Sequence, residues 1–432
     1  MSAAPTTAAA PVERIYPKVA LRLLPLLFLC YVVAYLDRIN VGFAKLQMQS
    51  DLHLSDSVYG LASGIFFFGY LLFEVPSNLL LERIGARLWI ARIMISWGII
   101  SGATLFVTSA GAFYALRFLL GFAEAGFFPG IILYLTYWFP SRWRAQIVAW
   151  FMTAVAVTGV VGNPLSGWIL HELTGFAGLR GWQMIFLVEA IPAMVLGIIV
   201  PFVLPNGIRS ARWLTDSEKE TLEANIHVEN AVKSRLPLAR VFIEPKLLTL
   251  SLIYFCNSLG LYGIGFWLPQ IIKNTGVNDP LQVGLLSAIP YGFAAVAMVL
   301  FGRSSDRTHE RRWHYFGGSV VGAVGLVMTG MYGHSTLLTM AGVTLSSMGV
   351  LSLFPVFWPI PAGMLAGTSA AAGIAWINSL GGLAGFFGPT IVGTVTDLTK
   401  KPDFAFYLIA GAVLLGGVLV LAIVPRTKRQ RQ

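Results

Sequence analysis

Four charged residues stand within stretches of the chain that are otherwise apolar. Asp37 and Arg38 are adjacent, and Arg117 and Glu124 are seven residues apart. Seven residues make two helical turns and about 10.5 Å of rise, so Arg117 and Glu124 project from nearly the same helix face. A charge at the centre of a bilayer costs about 2.5 to 3.5 kcal/mol on insertion scales, so these groups need partners or a hydrated cavity. Because the four residues lie at overlapping depths within their apolar stretches, we expect them to form a cluster.

The chemistry of these side chains indicates that the cluster binds an anion and exchanges protons. A guanidinium binds a carboxylate through two parallel hydrogen bonds and keeps its charge. An anion that competes for an arginine changes the proton affinity of an acid beside it. We therefore hypothesise that Asp37 and Glu124 carry coupled protons, and that Arg38 and Arg117 bind a substrate carboxylate or keep those acids charged. The alternative is a permanent ion-pair network that only holds the helices together.

The composition predicts a polytopic membrane protein. Of the 432 residues, 56% are hydrophobic and 12% are charged, and the mean hydropathy is +0.72. Hydropathy and polar or Gly/Pro breaks divide the chain into twelve stretches of spanning length. The predicted spans are residues 20–45, 57–80, 88–108, 111–137, 145–170, 182–204, 247–272, 282–302, 314–333, 336–356, 366–396 and 404–424.

The basic residues predict the orientation of these spans. They concentrate after even-numbered spans and near both termini, which the positive-inside rule places in the cytoplasm. The net charge of +10 follows mostly from this topology and does not indicate binding of nucleic acid. The predicted domains are a cytoplasmic tail (1–19), a six-helix bundle (20–204), a cytoplasmic linker (205–246), a second six-helix bundle (247–424) and a basic tail (425–432). Within the linker, a capping box at Thr215 predicts the start of a helix.

The two predicted bundles repeat each other in sequence. Glu82-Arg83 after the second span matches Asp306-Arg307 after the eighth at an offset of 224 residues. Such a repeat implies two facing bundles, a substrate site near the midplane between them and alternating access. The charged groups at these helix ends can pair across the halves and latch the cytoplasmic side, so we expect a gating role for Glu82, Arg83, Arg87, Asp306 and Arg307.

The segment from Asn78 to Arg87 resembles the cytoplasmic signature of the major facilitator superfamily, and a second copy starts at Gly302. Within that superfamily, residues 35–40 and 117–126 resemble the anion:cation symporter family. The resemblance implies a bacterial inner-membrane carrier that takes up an organic anion with protons or sodium. It favours a tartrate-like hydroxy-dicarboxylate over an aromatic carboxylate such as phthalate or 4-hydroxyphenylacetate.

Neutral groups are expected to complete substrate recognition, because the second half has almost no charge within its spans. Asn378 offers donors and an acceptor, and aromatic rings can stack on a substrate. The candidates are Tyr31, Tyr35, Tyr262, Trp358, Trp376 and Asn378. For the aromatic residues the alternative is ordinary packing. Glu74 and Glu189 are interpreted as structural pairing groups.

These observations predict a proton symporter, with sodium coupling, exchange or uniport, and a non-transporting sensor as alternatives. No combination of nucleophile, base and orienting group indicates an enzyme. The Gly-rich runs lack a Walker lysine, so ATP-driven pumping has no motif. No histidine or cysteine spacing indicates a metal site, and we expect no cofactor. The expected partners are an organic anion, protons and the lipid bilayer, and the expected state is a monomer.

Overall fold

A computed structural model of the chain describes residues 12–232, 243–364 and 368–424. Within these ranges the regular structure is entirely helical, which confirms the predicted all-α class. The helices are α1 (Val12–Asp51), α2 (Asp56–Ile84), α3 (Ala86–Ala103), α4 (Ala110–Glu124), α5 (Phe127–Thr136), α6 (Ser141–Glu172), α7 (Gly181–Val203), α8 (Asp216–Val232), α9 (Pro245–Gly265), α10 (Leu268–Asn274), α11 (Pro280–Thr308), α12 (Arg312–Met331), α13 (Thr336–Phe357), α14 (Pro359–Met364), α15 (Thr368–Gly382), α16 (Ala384–Thr399) and α17 (Asp403–Ile423).

The helices coincide with the predicted spans. In the described part of the chain, ten helical segments are long and apolar enough to cross a bilayer. The ninth and eleventh predicted spans coincide with α12 and with the interrupted pair of α15 and α16. Residues 1–11 of the predicted amino-terminal tail, residues 233–242 of the predicted linker and the basic tail 425–432 lie outside the described residues.

Several spans are interrupted, and one interruption positions a charged residue. The fourth span consists of α4 and α5, and α4 ends at Glu124. Gly126 adopts a left-handed conformation, with φ of +83°, that L side chains rarely take. A Cβ at this position would also collide with the hydroxyl of Ser77. The break therefore depends on glycine, and it leaves Glu124 at a helix end rather than in mid-helix.

The two halves pack directly against each other at one end of the molecule. We call the side where α1 begins the near side and the side where α1 ends the far side. On the far side α2 lies against α16, and α6 lies against α11. A Cβ at Gly60 would overlap the carbonyl oxygen of Pro389, so glycine allows this approach. Asp397 accepts hydrogen bonds from the backbone N–H groups of Asp56 (3.2 Å) and Ser57 (2.8 Å), which begin α2.

A buried lysine joins the far-side contact. Lys45 is 2% exposed, and its Nζ lies 2.8 Å from Oδ1 of Asp56. The same Nζ lies 4.0 Å from the ring centroid of Trp267, which belongs to the second half. The ion pair and the cation–π contact compensate for burying the ammonium group. The far side is therefore closed by direct contact between the halves.

The linker helix α8 is anchored on the near side. Lys18 of α1 donates to both carboxylate oxygens of Glu218 at 2.8 Å. Glu218 also accepts from the backbone N–H of Thr215 at 2.8 Å, and Thr215 Oγ1 accepts from the N–H of Glu218 at 3.3 Å. These reciprocal bonds are the capping box predicted from the sequence.

Candidate functional site

A cavity lies between the two halves, with about 860 Å³ of space that no atoms fill, part of it open to solvent. Helices of both halves contribute to its wall, chiefly α1, α2, α9 and α15. Five of the predicted substrate-binding residues line it: Tyr31, Tyr35, Arg38, Tyr262 and Asn378. The site predicted at the interface of the halves therefore corresponds to a real cavity, and Arg38 is the cation among its described lining residues.

Arg38 and Glu124 form a buried ion pair at this wall. Nε of Arg38 lies 2.7 Å from Oε1 of Glu124, and Nη2 also contacts this oxygen. Arg38 is 8% exposed and lines the cavity, whereas Glu124 is 1% exposed and stands behind it. The guanidinium also lies 5.2 Å from the ring centroid of Tyr70 and 5.5 Å from that of Phe66. Aromatic faces thus stabilise its charge on the sides that the carboxylate does not cover.

The second carboxylate oxygen of Glu124 is available for chemistry. Oε2 is buried and has no hydrogen-bond partner among the described residues. A proton placed there would displace no hydrogen bond, yet it would remove the charge that holds Arg38. Protonation of Glu124 and release of Arg38 are linked by this geometry.

Arg117 does not line the cavity. Its guanidinium donates long hydrogen bonds to the backbone carbonyls of Ala62 (3.4 Å) and Ser63 (3.5 Å). It also lies 5.2 Å from the ring centroid of Phe66, the ring that Arg38 contacts. No ion pair joins Arg117 to a carboxylate in the described part of the chain. Its charge therefore acts on the cluster across a short distance rather than by direct contact.

Asp37 faces away from the cavity, towards α3. Its carboxylate accepts hydrogen bonds from Trp97 Nε1 (2.8 Å), Ser101 Oγ (3.0 Å) and Asn40 Nδ2 (3.4 Å). Adjacent helical residues point about 100° apart, so Asp37 and Arg38 cannot both face the cavity. Arg38 occupies the cavity position, and Asp37 holds α1 against α3.

The two predicted tryptophans lie outside the cavity lining. Trp358 packs against Tyr254, with 4.9 Å between the ring centroids, and against Phe357 at 5.4 Å. Trp376 is half-buried on α15 and is also absent from the lining. Tyr254, which the sequence reasoning missed, lines the cavity where Trp358 supports it.

Glu74 was interpreted from the sequence as a structural pairing group, and its place in the cavity wall was not predicted. It is 4% exposed and lines the cavity, and its Oε2 accepts a hydrogen bond from Ser379 Oγ at 2.9 Å. A helical signal was present, because Phe67, Tyr70, Leu71 and Glu74 recur at the spacing of a single helix face and all line the cavity. Glu189 is a structural partner as expected, since it accepts from Ser166 at 2.6 Å.

The predicted latch residues are separated in this conformation. Asp306 forms an ion pair with Arg311 of its own half, with 2.8 Å between Oδ1 and Nη2. Among the described residues, no ion pair joins Glu82, Arg83 or Arg87 to Asp306 or Arg307. The near side thus lacks the cross-half ion pairs that the sequence led us to expect, while the far side is closed.

Two helical halves that meet at one end and enclose a charged cavity define a membrane transport protein. The profile of the Major Facilitator Superfamily matches residues 27–278 and 250–432. The chain belongs to this superfamily.

Proteins similar to this chain include bacterial transporters. A protein of Agrobacterium vitis named "Putative tartrate transporter" is 47% identical over 413 residues, which cover 95% of this chain and 94% of that protein. A protein of Pseudomonas putida named "Putative metabolite transport protein NicT" is 44% identical over 413 residues, with the same coverage of both chains. The solved structure of the xylose transporter XylE from E. coli, in a partially occluded inward open conformation, matches with a TM-score of 0.76. The match covers 96% of this chain and 100% of the XylE chain. Because the two sequences are only 14% identical, the likeness shows the fold alone.

Proposed function

We propose that this protein imports an organic carboxylate across a bacterial inner membrane by proton symport with alternating access. The observation that carries the proposal is the Arg38–Glu124 pair, which places an exchangeable carboxylate partner on the cation at the cavity wall. The relatives at 44 to 47% identity, one of them named for tartrate, support an organic acid as substrate. A tartrate-like hydroxy-dicarboxylate is the first candidate.

Coupling follows from competition for one guanidinium. When Glu124 is ionised, it occupies Arg38, and a substrate carboxylate has no free cation in the cavity. When Glu124 takes up a proton, Arg38 can form the bidentate bonds that its planar fork provides. Substrate binding and proton binding thus favour each other, which is the linkage that a symporter requires. After release of both on the near side, the Arg38–Glu124 pair forms again.

The other candidate residues take supporting roles in this proposal. Tyr31, Tyr35, Tyr262 and Asn378 line the cavity and supply hydroxyl and amide groups for the remaining substrate oxygens. Arg117 tunes the charge of the cluster from behind Phe66. Asp37, which the sequence indicated as a second proton carrier, serves in this proposal to position α1 through its three hydrogen bonds. The near side faces the cytoplasm together with both termini, and the monomer is the transporting unit. Glu82, Arg83, Arg87, Asp306 and Arg307 form the latch of the state in which the near side closes.

An aromatic carboxylate is the second candidate substrate. The cavity wall is rich in rings that can stack on a planar acid. Eight aromatic residues line it: Tyr31, Tyr35, Phe67, Tyr70, Phe128, Tyr254, Tyr262 and Phe354. A hydroxy-dicarboxylate uses mainly the polar groups of this wall, whereas an aromatic acid also uses the ring faces.

The test is uptake into proteoliposomes of tartrate, galactarate, galactonate, phthalate and 4-hydroxyphenylacetate, with a proton gradient, a sodium gradient or neither. We expect one acid to accumulate with the proton gradient alone. Glu124→Gln is expected to abolish this accumulation and retain exchange. Glu189→Gln is the matched control, because it makes the same change at a buried carboxylate outside the cavity. Uptake that follows sodium, or that ignores both gradients, would contradict proton symport.

A further inference from the structure

Glu74 is a cavity carboxylate that the exchange between Arg38 and Glu124 does not use. It lies on α2 in the first half, and its Oε2 accepts the hydrogen bond from Ser379 of α15 in the second half. Asn378 of the same helix also lines the cavity with Glu74. Glu124, in contrast, contacts Arg38 within the first half and does not reach the cavity surface. Glu74 thus joins both halves and is directly accessible from the cavity.

The charge balance of the cavity requires a response from Glu74 when an anion enters. The one cation lining the described cavity wall, Arg38, is already paired with Glu124. With Glu74 also ionised, the three groups carry a net charge of −1 before any substrate binds. The other titratable groups that line the cavity are neutral phenols: Tyr31, Tyr35, Tyr70, Tyr254 and Tyr262. Among the described residues no further cation lines this wall to balance a substrate carboxylate, because Arg117 lies behind it.

We propose that Glu74 is a second coupled-proton site, which takes up its proton when a dianionic substrate occupies the cavity. With Glu124 alone protonated, Arg38, ionised Glu74 and a dianion sum to −2. With both acids protonated the sum is −1, the same as in the empty cavity. Import of a dicarboxylate therefore moves two protons. This proposal rests on the proposed function and deepens it, because it assigns the stoichiometry and favours the dicarboxylate class.

The position of Glu74 also links its protonation to movement of the halves. An ionised carboxylate accepts a stronger hydrogen bond from a hydroxyl than a neutral carboxyl group does. Ionised Glu74 therefore holds α15 against α2 across the cavity wall, and protonation loosens this contact. Ser379 lies just before the break between α15 and α16, at Leu383, and Gly382 also lines the cavity. Protonation of Glu74 therefore weakens a contact next to the break between α15 and α16, where the second half can bend.

The test measures the number of protons coupled to each substrate molecule. Wild type and Glu74→Gln are reconstituted, and the steady-state accumulation of the acid identified for the wild type is measured against the imposed pH difference at zero membrane potential. Loss of one coupled proton lowers the accumulation about tenfold per pH unit, the factor that one pH unit supplies per proton. We expect this loss in Glu74→Gln and wild-type stoichiometry in Glu189→Gln.

Further variants separate the carboxyl group from the packing around it. Glu74→Asp retains the carboxyl group, and we expect wild-type stoichiometry with slower transport because the contact with Ser379 is disturbed. If Glu74→Gln does not fold, Glu74→Ser takes its place with the same expected stoichiometry. Unchanged stoichiometry in the variant that lacks the carboxyl, or a reduced one in Glu74→Asp as well, would overturn the proposal. A wild type that accumulates no acid on a proton gradient would overturn the proposed function instead.

Discussion

Arg38 of α1 and Glu124 of α4 form an ion pair at the cavity wall, with 2.7 Å between Nε and Oε1, although 86 residues separate them in the sequence. Each residue of the pair is positioned by different local structure. Arg38 lies beside the rings of Phe66 and Tyr70, and Glu124 lies at the helix end that Gly126 creates. Only Oε1 of the carboxylate is engaged by Arg38, so Oε2 can accept a proton, which removes the charge that holds the pair together.

Substrate affinity should depend on pH through Glu124. As the pH rises and Glu124 ionises, it competes with the substrate for Arg38, so the wild-type Kd should increase. In Glu124→Gln this competitor is absent at every pH, so the Kd should rise less steeply with pH than in the wild type, and the remaining rise should come from Glu74. The measurement is a substrate-binding titration of purified protein between pH 5 and about pH 8, the range in which most proteins are most stable. A Kd in Glu124→Gln that retains the wild-type pH dependence would contradict this competition.

The two arginines should respond differently to the same substitution. Arg38→Lys keeps the charge but loses the planar fork that binds a carboxylate, so we expect the Kd of the substrate to rise about tenfold or more, or roughly 1.4 kcal/mol. Arg117→Lys should change the Kd much less, because Arg117 does not line the cavity. Equilibrium binding to both purified variants decides this. An equal loss of affinity in both would show that Arg117 reaches the substrate in another conformation.

The sequence predicted the spans well and the orientation of single side chains poorly. Span lengths follow from the thickness of the bilayer, which acts on each segment separately. The rotation of α1 about its axis is set by long-range packing. Trp97 and Ser101 of α3 donate hydrogen bonds to the carboxylate of Asp37, and in this orientation Arg38 faces the cavity. The sequence of α1 alone does not determine which of these two residues faces the cavity.

The cavity position of Glu74 was not predicted for a related reason. The hydropathy pattern ended the second span at residue 80, which placed Glu74 near a cytoplasmic helix end. In the structure α2 continues to Ile84, and α15 crosses it at the depth of the cavity. The contact between Glu74 and Ser379 spans 305 residues, so it depends on how the two halves meet. Local sequence patterns do not contain that information.

The anchoring of the linker helix should weaken at low pH. The hydrogen bond from Lys18 holds the pKa of the Glu218 carboxyl below its usual range. A group whose pKa is lower in the folded protein adds stability above the ordinary pKa of glutamate, about 4.3, and this is lost as the pH falls through the lowered value. Because the pair is partly exposed, it contributes at most about 1 kcal/mol.

We therefore expect Glu218→Gln to lower the thermal unfolding temperature slightly at pH 7 and to have less effect as the pH falls below about 4. Thermal unfolding in detergent, followed by tryptophan fluorescence, measures both. Glu220→Gln is the control, since Glu220 is exposed on the same helix. A loss for Glu218→Gln that is equal at both pH values, or that Glu220→Gln reproduces, would contradict a specific role for the pair with Lys18.

Closure of the far side should fail when Gly60 acquires a side chain. Gly60→Ala places a Cβ against the carbonyl oxygen of Pro389, a backbone atom that cannot move aside alone. The halves must separate there, so we expect slow transport and a population shifted towards the state that is open on the far side. In Gly411→Ala the added Cβ meets nothing within 4 Å, and transport should be unchanged.

The reporter for this opening is Thr390→Cys. Oγ1 of Thr390 lies 3.5 Å from the carbonyl oxygen of Gly60, so a thiol there is shielded while the halves are in contact. The native cysteines, Cys30 and Cys256, are buried and should react slowly. We expect a membrane-impermeant maleimide to label Thr390→Cys faster in combination with Gly60→Ala than alone or with Gly411→Ala. Equal labelling rates in all three would mean that the Gly60 contact does not close the far side, and the transport defect would then need another cause.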